Sequence, residues 1–281
     1  MCILDLNIAN IFTKFDEFKS FVDSVNVSNP ISAICLNECW IKETSDLSGL
    51  NLPNYKMFFQ RGNRVGHGHC GLVIYVHELF RCKEIMVNQE HTDWDFMCVE
   101  ISHYKPHSKK YILSNIYRLP GVIVEDFKIF IDEFSSFLTE INNLKRSSLI
   151  CGDFNINLLQ LSTNSHFNSY FDSILSKGFY PNITLPTRLS AASNFTCNTL
   201  IDNILTNDIE EKNKSKSGIL INDISDHKMI FTYYENCTYI EEIKKTVEIE
   251  VINELSLQNF VNELRALNIY DKLAEKVDNS M

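Results

Sequence analysis

Polar side chains interrupt or follow four apolar segments of the chain, and their types could carry out catalysis. One such residue alone is usually a turn or a helix cap, and the turn interpretation stays open for each taken singly. Several carboxylates brought together would repel one another unless positive charge lay between them. The set comprises Glu38, Asp153, Asn155, Asp202, Asp226 and His227.

A divalent cation such as Mg²⁺ would supply that positive charge. Mg²⁺ prefers oxygen ligands and is typically held by one or two carboxylates plus substrate phosphate. The chain has no Cys-rich or His-rich spacing typical of zinc. Carboxylates with one histidine, a tyrosine and asparagines suit metal-assisted hydrolysis of a phosphoester, in which a carboxylate orients water and cationic or amide donors stabilise the phosphoryl oxygens.

The segment SSLICGDFNINLL contains the clearest of these strand ends. Leu149–Cys151 has the pattern of a buried strand, and Asp153 and Asn155 come where that strand should reach the surface. Gly152 would let the backbone approach the site without a side chain in the way.

The elements that must position these residues are strands and helices in mixed order. Apolar periodicity predicts helices over Thr13–Val25, Glu125–Leu144 and Phe167–Lys177; Thr13 and Asp16 resemble a capping box, and Gly178 suits a C′ position. Most strand-length runs are continuously apolar, as expected for strands covered on both faces. This combination predicts an α+β fold of two packed sheets flanked by helices. The predicted strands are ISAICL, GLVIYV, FMCVEI, YILSNIY, SSLIC, LIDNIL and MIFTYY.

Composition excludes several classes of protein. The 281 residues can bury a full core, and no apolar run approaches the roughly 20 residues that span a bilayer. The start lacks a basic region and a cleavage site, so we expect no signal peptide. Nine cysteines without a CxxC pair favour a reducing, intracellular compartment, where buried thiols behave as small hydrophobes. The net charge of −10 disfavours a nucleic-acid coat protein but not an enzyme with a local basic groove.

Two basic clusters could contact a phosphate backbone, although charge runs are usually solvated surface. Lys105, Lys109 and Lys110 form the first, and Arg61 and Arg64 the second. We interpret His67 and His69 as loop residues, IEEKNKSKSG as a polar loop, and Ser256–Val277 as a helix in a tail that follows Tyr239.

The motifs LNI, CLNECW, NIYRLPG, LICGDFNINLL, PTRLSAASNFTCNTLIDNIL and SDHKMI, in this order, resemble the endonuclease/exonuclease/phosphatase superfamily. Within it the chain is most similar to the apurinic-type endonuclease domain of non-LTR (LINE-type) retrotransposons. The likeness runs from Ile3 to Tyr234. It implies a DNase I-like, four-layer αββα sandwich of two mixed sheets. Asn203 departs from the pattern, since relatives often carry His or Tyr there.

The resemblance also implies a role for each matching residue. Asp153 would orient or deprotonate the attacking water, Asn155 would bind phosphate or water, and Asp202 would orient His227. The implied catalytic residues are Asp153, Asn155, His227, Asp202 and Tyr117; the metal-side residues are Glu38, Asp226 and Asn7; and the substrate-binding residues are Thr187, Ser225 and Arg118.

The expected activity is a Mg²⁺-dependent DNA endonuclease, with Mn²⁺ as an alternative cation, that leaves a 3′-hydroxyl at the target of a retrotransposon. Residues 1–239 would be the nuclease domain, and 240–281 a linker and helix leading to a reverse transcriptase that this chain lacks. Such a protein would act in the nucleus, with DNA as its partner and no membrane. Two alternatives remain: a phosphomonoesterase or phosphoinositide phosphatase of the same superfamily, and an inactive, domesticated binding module.

Overall fold

The computed structural model of the chain describes residues 1–26, 30–62, 70–87, 94–104, 108–121, 124–189, 198–208 and 215–234, together with Asn262. Each predicted apolar run forms a strand. The strands are β1 (Cys2–Asn7), β2 (Ala33–Asn37), β3 (Tyr55–Gln60), β4 (Leu72–His77), β5 (Phe80–Ile85), β6 (Trp94–His103), β7 (Lys110–Arg118), β8 (Ser147–Asp153), β9 (Tyr180–Pro181), β10 (Asp202–Thr206), β11 (Ser215–Leu220) and β12 (Met229–Tyr234).

The helices are α1 (Ile11–Val25), α2 (Val124–Asn143) and α3 (Ser165–Ser176). The cap of α1 differs from the prediction: Asn10, three residues before Thr13, accepts a hydrogen bond from the Phe12 amide at 3.1 Å. A short amide side chain at this position satisfies a backbone donor that has no partner inside the helix. After α3, Gly178 adopts a positive φ of 77° and ends the helix as predicted.

The strands form two mixed six-stranded sheets, in the orders β11-β12-β1-β2-β4-β3 and β5-β6-β7-β8-β10-β9. In each sheet one central pair is parallel, β1 with β2 and β7 with β8. Because side chains alternate along a strand, each sheet has an inner face and an outer face. Ile3, Cys35, Leu149 and Cys151 pack between the sheets.

The outer faces are covered by helices, which completes the predicted αββα sandwich. Leu4, Leu6 and Ile34 of the first sheet pack against Phe15 and Phe18 of α1. The phenylalanines of α2 cover the second sheet together with α3, so their stripe is part of the core as predicted. The buried α2 members are Phe127, Phe130, Phe134, Phe137, Leu138 and Ile141.

Strand β11 was missed because its sequence is polar. Residues 215–218 fall in the segment predicted as a loop, but they pair with β12 at the sheet edge. An edge strand is stabilised by backbone hydrogen bonds and needs no apolar pattern. Gly218 leaves room for the ring of Phe231, which would lie 3.1 Å from an added Cβ.

The chain divides into a unit of Met1–Thr238 and a second of Tyr239–Met281. Apart from Asn262, the predicted tail and its helix lie outside the described residues, as do His67, His69, Arg64 and Lys105. The domain boundary at residue 239 stays a prediction. No helix among the described residues is long and apolar enough to cross a membrane.

Candidate active site

Three of the predicted residues form a row across the second sheet. Tyr117 of β7 lies beside Asp153 of β8, and Asp153 lies opposite Asp202 of β10. All three continue the inner-face alternation that begins with residues such as Leu149 and Cys151. The row is buried, with 2% of Tyr117 and 1% of each aspartate exposed.

The first sheet brings Asn7 and Glu38 to the same place. Asn7 ends β1, which runs parallel to β2, and Glu38 follows β2 in a left-handed conformation with a φ of 49°. The Asn7 amide donates to Glu38 Oε1 at 3.0 Å and to Asp153 Oδ2 at 2.9 Å, so it joins the two sheets. The Tyr117 hydroxyl donates to Glu38, and burial followed by the Glu38 charge raises the pKa of Tyr117.

Both oxygens of Asp153 are held by donors. Asn7 donates to Oδ2, and the backbone amide of Asn155 donates to Oδ1 at 2.9 Å. Burial, then the nearby charge of Asp202, raises the pKa of Asp153 from 3.8 to about 7, against the opposing effects of His227 and the two donors. The carboxylate is therefore fixed in orientation and has a pKa near neutrality, where a general base is most effective.

Asp202 and His227 form a tight pair. Nδ1 of His227 lies 2.9 Å from Oδ1 and 3.0 Å from Oδ2 of Asp202, and 3.9 Å from Oδ2 of Asp153. Burial lowers the pKa of His227, but the charge and hydrogen bond of Asp202 outweigh it and raise the pKa from 6.5 to about 9. At neutral pH the ring is thus an imidazolium, whose Nε2 has no partner among the described residues.

Thr187 holds the backbone that carries Asp202. Its hydroxyl accepts from the amides of Ile201 at 3.3 Å and Asp202 at 3.2 Å, and none of the residue is exposed. Thr187 therefore has no exposed atom that could make the predicted contact with substrate. In this arrangement Thr187 positions Asp202.

Arg118 is likewise buried, at 3% exposure. Its guanidinium lies over the rings of Phe127 and Phe130, 4.9 Å from each centroid, and Nη1 reaches the carbonyl of Phe154 at 3.4 Å. The side-chain amide of Asn155 donates in turn to the backbone carbonyl of Arg118 at 2.7 Å. Arg118 thus fixes the loop that follows Asp153, instead of facing a substrate. The phosphate-binding role of Asn155 stays a prediction.

Asp226 lies at the exposed rim of the site, and Ser225 beside it is buried. The Ser225 hydroxyl is 3.4 Å from Oδ1 of Asp226 and accepts from the His227 amide at 3.3 Å. Asp226 Oδ2 pairs with Arg188. The predicted roles of Asp226 as a metal ligand and of Ser225 in substrate binding therefore stay predictions.

The site offers oxygen donors that suit a divalent cation such as Mg²⁺. Carboxylate oxygens of Asp153 and Asp202 lie within 4.8 Å of each other, and Asn7 connects Asp153 to the partly exposed Glu38. Carboxylate and amide oxygens are the ligands that Mg²⁺ prefers, and a cation there would offset the repulsion between the acids. The residues present fit the predicted cation.

A buried polar layer behind the site was not predicted. Asp5 lies on the inner face of β1, with no exposed surface, and accepts from the Asn37 amide at 2.9 Å. Burial and then the charge of Asp202 raise its pKa well above the ordinary value. The Asn115 amide of β7 donates to carbonyls of Leu36 and Val73 in the facing sheet. The sequence signals for this layer were polar residues inside apolar runs, Asp5 in ILDLN and Asn115 in YILSNIY.

Asn203, the departure from the family pattern, has a structural role. Its side-chain oxygen accepts from the amides of Asn182 and Ile183, each at 3.1 Å, and its amide donates back to the Ile183 carbonyl at 2.9 Å. Asn203 therefore connects the start of β10 to the segment that follows β9.

The described lysines of the first basic cluster lie away from the site. Lys109 and Lys110 precede or begin β7, whereas Tyr117 lies seven residues further on, roughly 23 Å at the rise of an extended strand. Lys109 pairs with Asp208 at 2.6 Å, and Lys110 pairs with Glu100 at 2.7 Å. These lysines cannot contact a phosphate that lies against Asp153.

Gly152 is required for a different reason from the one predicted. Its φ of +149° is unfavourable for other residues, and an added Cβ would lie 1.9 Å from the carbonyl oxygen of Ile116. Ile116 is its register partner on β7. The close approach is therefore to the neighbouring strand and not to a ligand.

The pKa values predict how stability depends on pH. A group whose pKa is higher in the folded protein stabilises the fold below its unfolded pKa, and this contribution is lost as the pH rises through the folded value. For His227 that window runs from 6.5 to about 9, and for Asp153 from 3.8 to about 7. We expect the free energy of unfolding of metal-free protein to fall by about 3 kcal/mol between pH 6.5 and 9, as measured by urea denaturation.

The Asp202→Asn variant provides the control, because it removes the carboxylate that raises the pKa of His227. Its free energy of unfolding should change much less across the same window. Buried cysteines titrate alike in both proteins, so the difference between the two curves reports on the groups whose pKa Asp202 raises, namely His227, Asp153 and Asp5. Parallel curves would contradict the assigned pair.

Comparison with known proteins identifies solved structures with the same fold. No protein-family model matches the chain, and no curated protein matches its sequence. Solved structures do match: the AP endonuclease LMAP from Leishmania major has a TM-score of 0.63 at 11% identity, covering 83% of this chain and 87% of that one. The catalytic domain of Xenopus laevis APE2 has a TM-score of 0.61 at 17% identity, covering 83% and 91%.

The endonuclease domain of TRAS1, a telomere-specific non-LTR retrotransposon, is also similar. Its TM-score is 0.59 at 12% identity, and the match covers 84% of this chain and 99% of that one. The chain therefore shares the fold of these structures, the two-sheet sandwich that the sequence predicts.

Proposed function

We propose that the chain is a divalent-metal-dependent endonuclease that hydrolyses one phosphodiester bond of DNA and leaves a 3′-hydroxyl, as the target-nicking domain of a non-LTR retrotransposon. The observation that carries the proposal is the convergence of Tyr117, Asp153 and Asp202 with Asn7, Glu38 and His227. Acid, base and oxygen-ligand groups meet at one edge of the sandwich.

Asp153 is the residue proposed to act on the attacking water. Its two oxygens are fixed by Asn7 and Asn155, and its pKa of about 7 suits proton removal near neutral pH. A water that accepts this orientation needs no further reorganisation before it attacks.

His227 is proposed to donate from Nε2 to an oxygen of the phosphate. Asp202 occupies Nδ1 and keeps the ring protonated, so the charge faces the group that becomes more negative in the transition state. Glu38, Asn7 and Asp226 are the proposed ligands of the cation, Asp226 through Oδ1 because its Oδ2 pairs with Arg188. When bound, Mg²⁺ or Mn²⁺ supplies Lewis-acid stabilisation of the phosphoryl oxygens.

The neighbouring structures support DNA as the substrate, since one is an AP endonuclease and another is the endonuclease domain of a non-LTR retrotransposon. The intact set of acids and His227 argues against an inactive binding module. The same proposal includes a covalent connection between this domain and a reverse transcriptase in a longer chain.

We expect purified protein to convert supercoiled plasmid to the nicked circle in Mg²⁺ or Mn²⁺, and to lose this activity in EDTA. Gel electrophoresis measures the conversion. Extension of the nicks by a DNA polymerase tests for the 3′-hydroxyl.

Glu38→Gln tests the role of the metal. The variant removes a charged ligand, but its side-chain oxygen still accepts the hydrogen bond from the Asn7 amide. The variant should need more Mn²⁺ for half-maximal nicking than the wild type. A folded wild-type protein that nicks no DNA across a series of metals would refute the proposal. Release of inorganic phosphate from monoesters or phosphoinositides, without nicking, would favour the phosphatase alternative.

A further inference from the structure

Arg188 is held next to His227 by the backbone. Residues 187 and 188 form a short extended segment between two others: the amide and carbonyl of Arg188 bond to Thr199, each at 3.0 Å, and the Lys228 amide donates to the Thr187 carbonyl at 2.7 Å. Arg188 forms isolated bridges with Thr199 and with His227. Since paired strands lie about 4.8 Å apart, the two backbones are neighbours.

The Arg188 guanidinium is exposed at the rim of the site, and its contacts with Asp226 fix its orientation. Nε lies 2.9 Å and Nη2 lies 2.7 Å from Oδ2 of Asp226. The Arg188 side chain is 50% exposed and that of Asp226 is 52% exposed. A guanidinium has five N–H donors, so this pair leaves others available to solvent or to a ligand.

Other cations that sequence or position suggests are less suited to bind a phosphate at this site. Arg118 is 3% exposed, and its guanidinium packs against two phenylalanine rings. The ammonium of Lys228 donates to the Asn222 carbonyl at 2.8 Å, and its side chain is 14% exposed. Lys109 and Lys110 lie at the far end of β7.

We propose that Arg188 binds the non-bridging oxygens of a DNA phosphate next to the bond that is cut, and that Asp226 holds the guanidinium in place until the phosphate arrives. The planar guanidinium matches two phosphate oxygens as well as it matches a carboxylate. Because an exposed ion pair contributes little net stability, exchange of Asp226 for phosphate costs little. Because the backbone bridge places Arg188 next to His227, the phosphate that Arg188 binds lies close to the phosphate to which His227 donates. This inference rests on the proposed nuclease function.

The test compares Arg188→Gln with Arg146→Gln. Arg146 precedes β8, at the opposite end of the strand from Asp153, so it serves as a matched loss of charge away from the site. Fluorescence anisotropy would measure the Kd for a short duplex in EDTA, between 50 and 200 mM KCl. Loss of Arg188 should weaken binding roughly ten-fold and reduce the slope of log Kd against log salt by about 0.9, the value for one phosphate contact.

Arg146→Gln should change neither value, and Arg188→Lys should keep the slope while binding less tightly, because an ammonium keeps the charge but lacks the planar fork. A wild-type protein that neither binds nor nicks DNA would refute the proposed function itself. If the wild type binds and nicks DNA but Arg188→Gln keeps the wild-type slope, only the role of Arg188 is refuted. Should Arg188→Gln fail to fold, Arg188→Lys decides: wild-type affinity would overturn the inference.

Discussion

Replacing Asp153 by asparagine should lower the rate of DNA nicking by roughly 10²–10⁴-fold, the loss that follows removal of a general acid–base group. Asparagine keeps the volume of the side chain, but it cannot take the proton from water. It also provides one acceptor oxygen where Asp153 accepts from both Asn7 and Asn155. The charge repulsion between Asp153 and Asp202 disappears in the variant, which offsets the lost hydrogen bond in the folded protein.

The variant should therefore separate catalysis from stability. We expect a melting temperature close to that of the wild type, and loss of any limb of the pH–rate profile near 7 that belongs to Asp153. Asp172→Asn, on the exposed surface of α3, is the matched control and should leave the rate unchanged. An Asp153→Asn protein that retained most of the activity would remove Asp153 from the chemistry.

Much of the fold was predictable because burial on two faces leaves a strong signal. Continuous apolar runs such as those of β7 and β8 marked the central strands, and the Phe130 and Phe134 stripe marked a helix that covers a sheet. Strand β11 carries no such signal, because a sheet edge is held by backbone hydrogen bonds that any residue can make. Patterns of hydrophobicity report burial, and they do not report pairing.

The acidic residues of the site were predictable for the opposite reason: a carboxylate beside a buried strand is conspicuous. The strand register that makes them neighbours was not predictable. Tyr117, Asp153 and Asp202 become neighbours through pairing between strands that lie far apart in the chain. That pairing is set by the whole sheet and not by local residues.

The two arginines next to motifs show where sequence reasoning fails. The motifs implied a substrate contact for Arg118, which follows Tyr117, and none for Arg188, which follows Thr187. Their exposure depends on distant partners, namely the α2 rings that cover Arg118 and the carboxylate of Asp226 that holds Arg188 at the surface. Contacts of this kind depend on tertiary structure.

The Gly152→Ala substitution should destabilise the protein by about 3 kcal/mol or more, or prevent folding, because two costs combine at this position. Its φ of +149° strains any residue with a Cβ, and that Cβ would lie 1.9 Å from the Ile116 carbonyl oxygen. The obstacle is backbone, so no side-chain rotation relieves it. Separation of β7 from β8 would relieve it, and that movement would also part Tyr117 from Asp153.

Two other glycines separate the two costs. Gly178 has a φ of +77° with no atom within 4 Å of an added Cβ, and Gly49 has open space around it and no such φ. Gly178→Ala should therefore lose about 1 kcal/mol from backbone strain alone, and Gly49→Ala should be close to neutral. Urea denaturation would measure the series. Equal stability of the Gly152 and Gly178 variants would mean that β7 and β8 tolerate a wider spacing, and a Gly152→Ala protein that also kept full nicking activity would contradict the argument that this close pairing sets the geometry of the site.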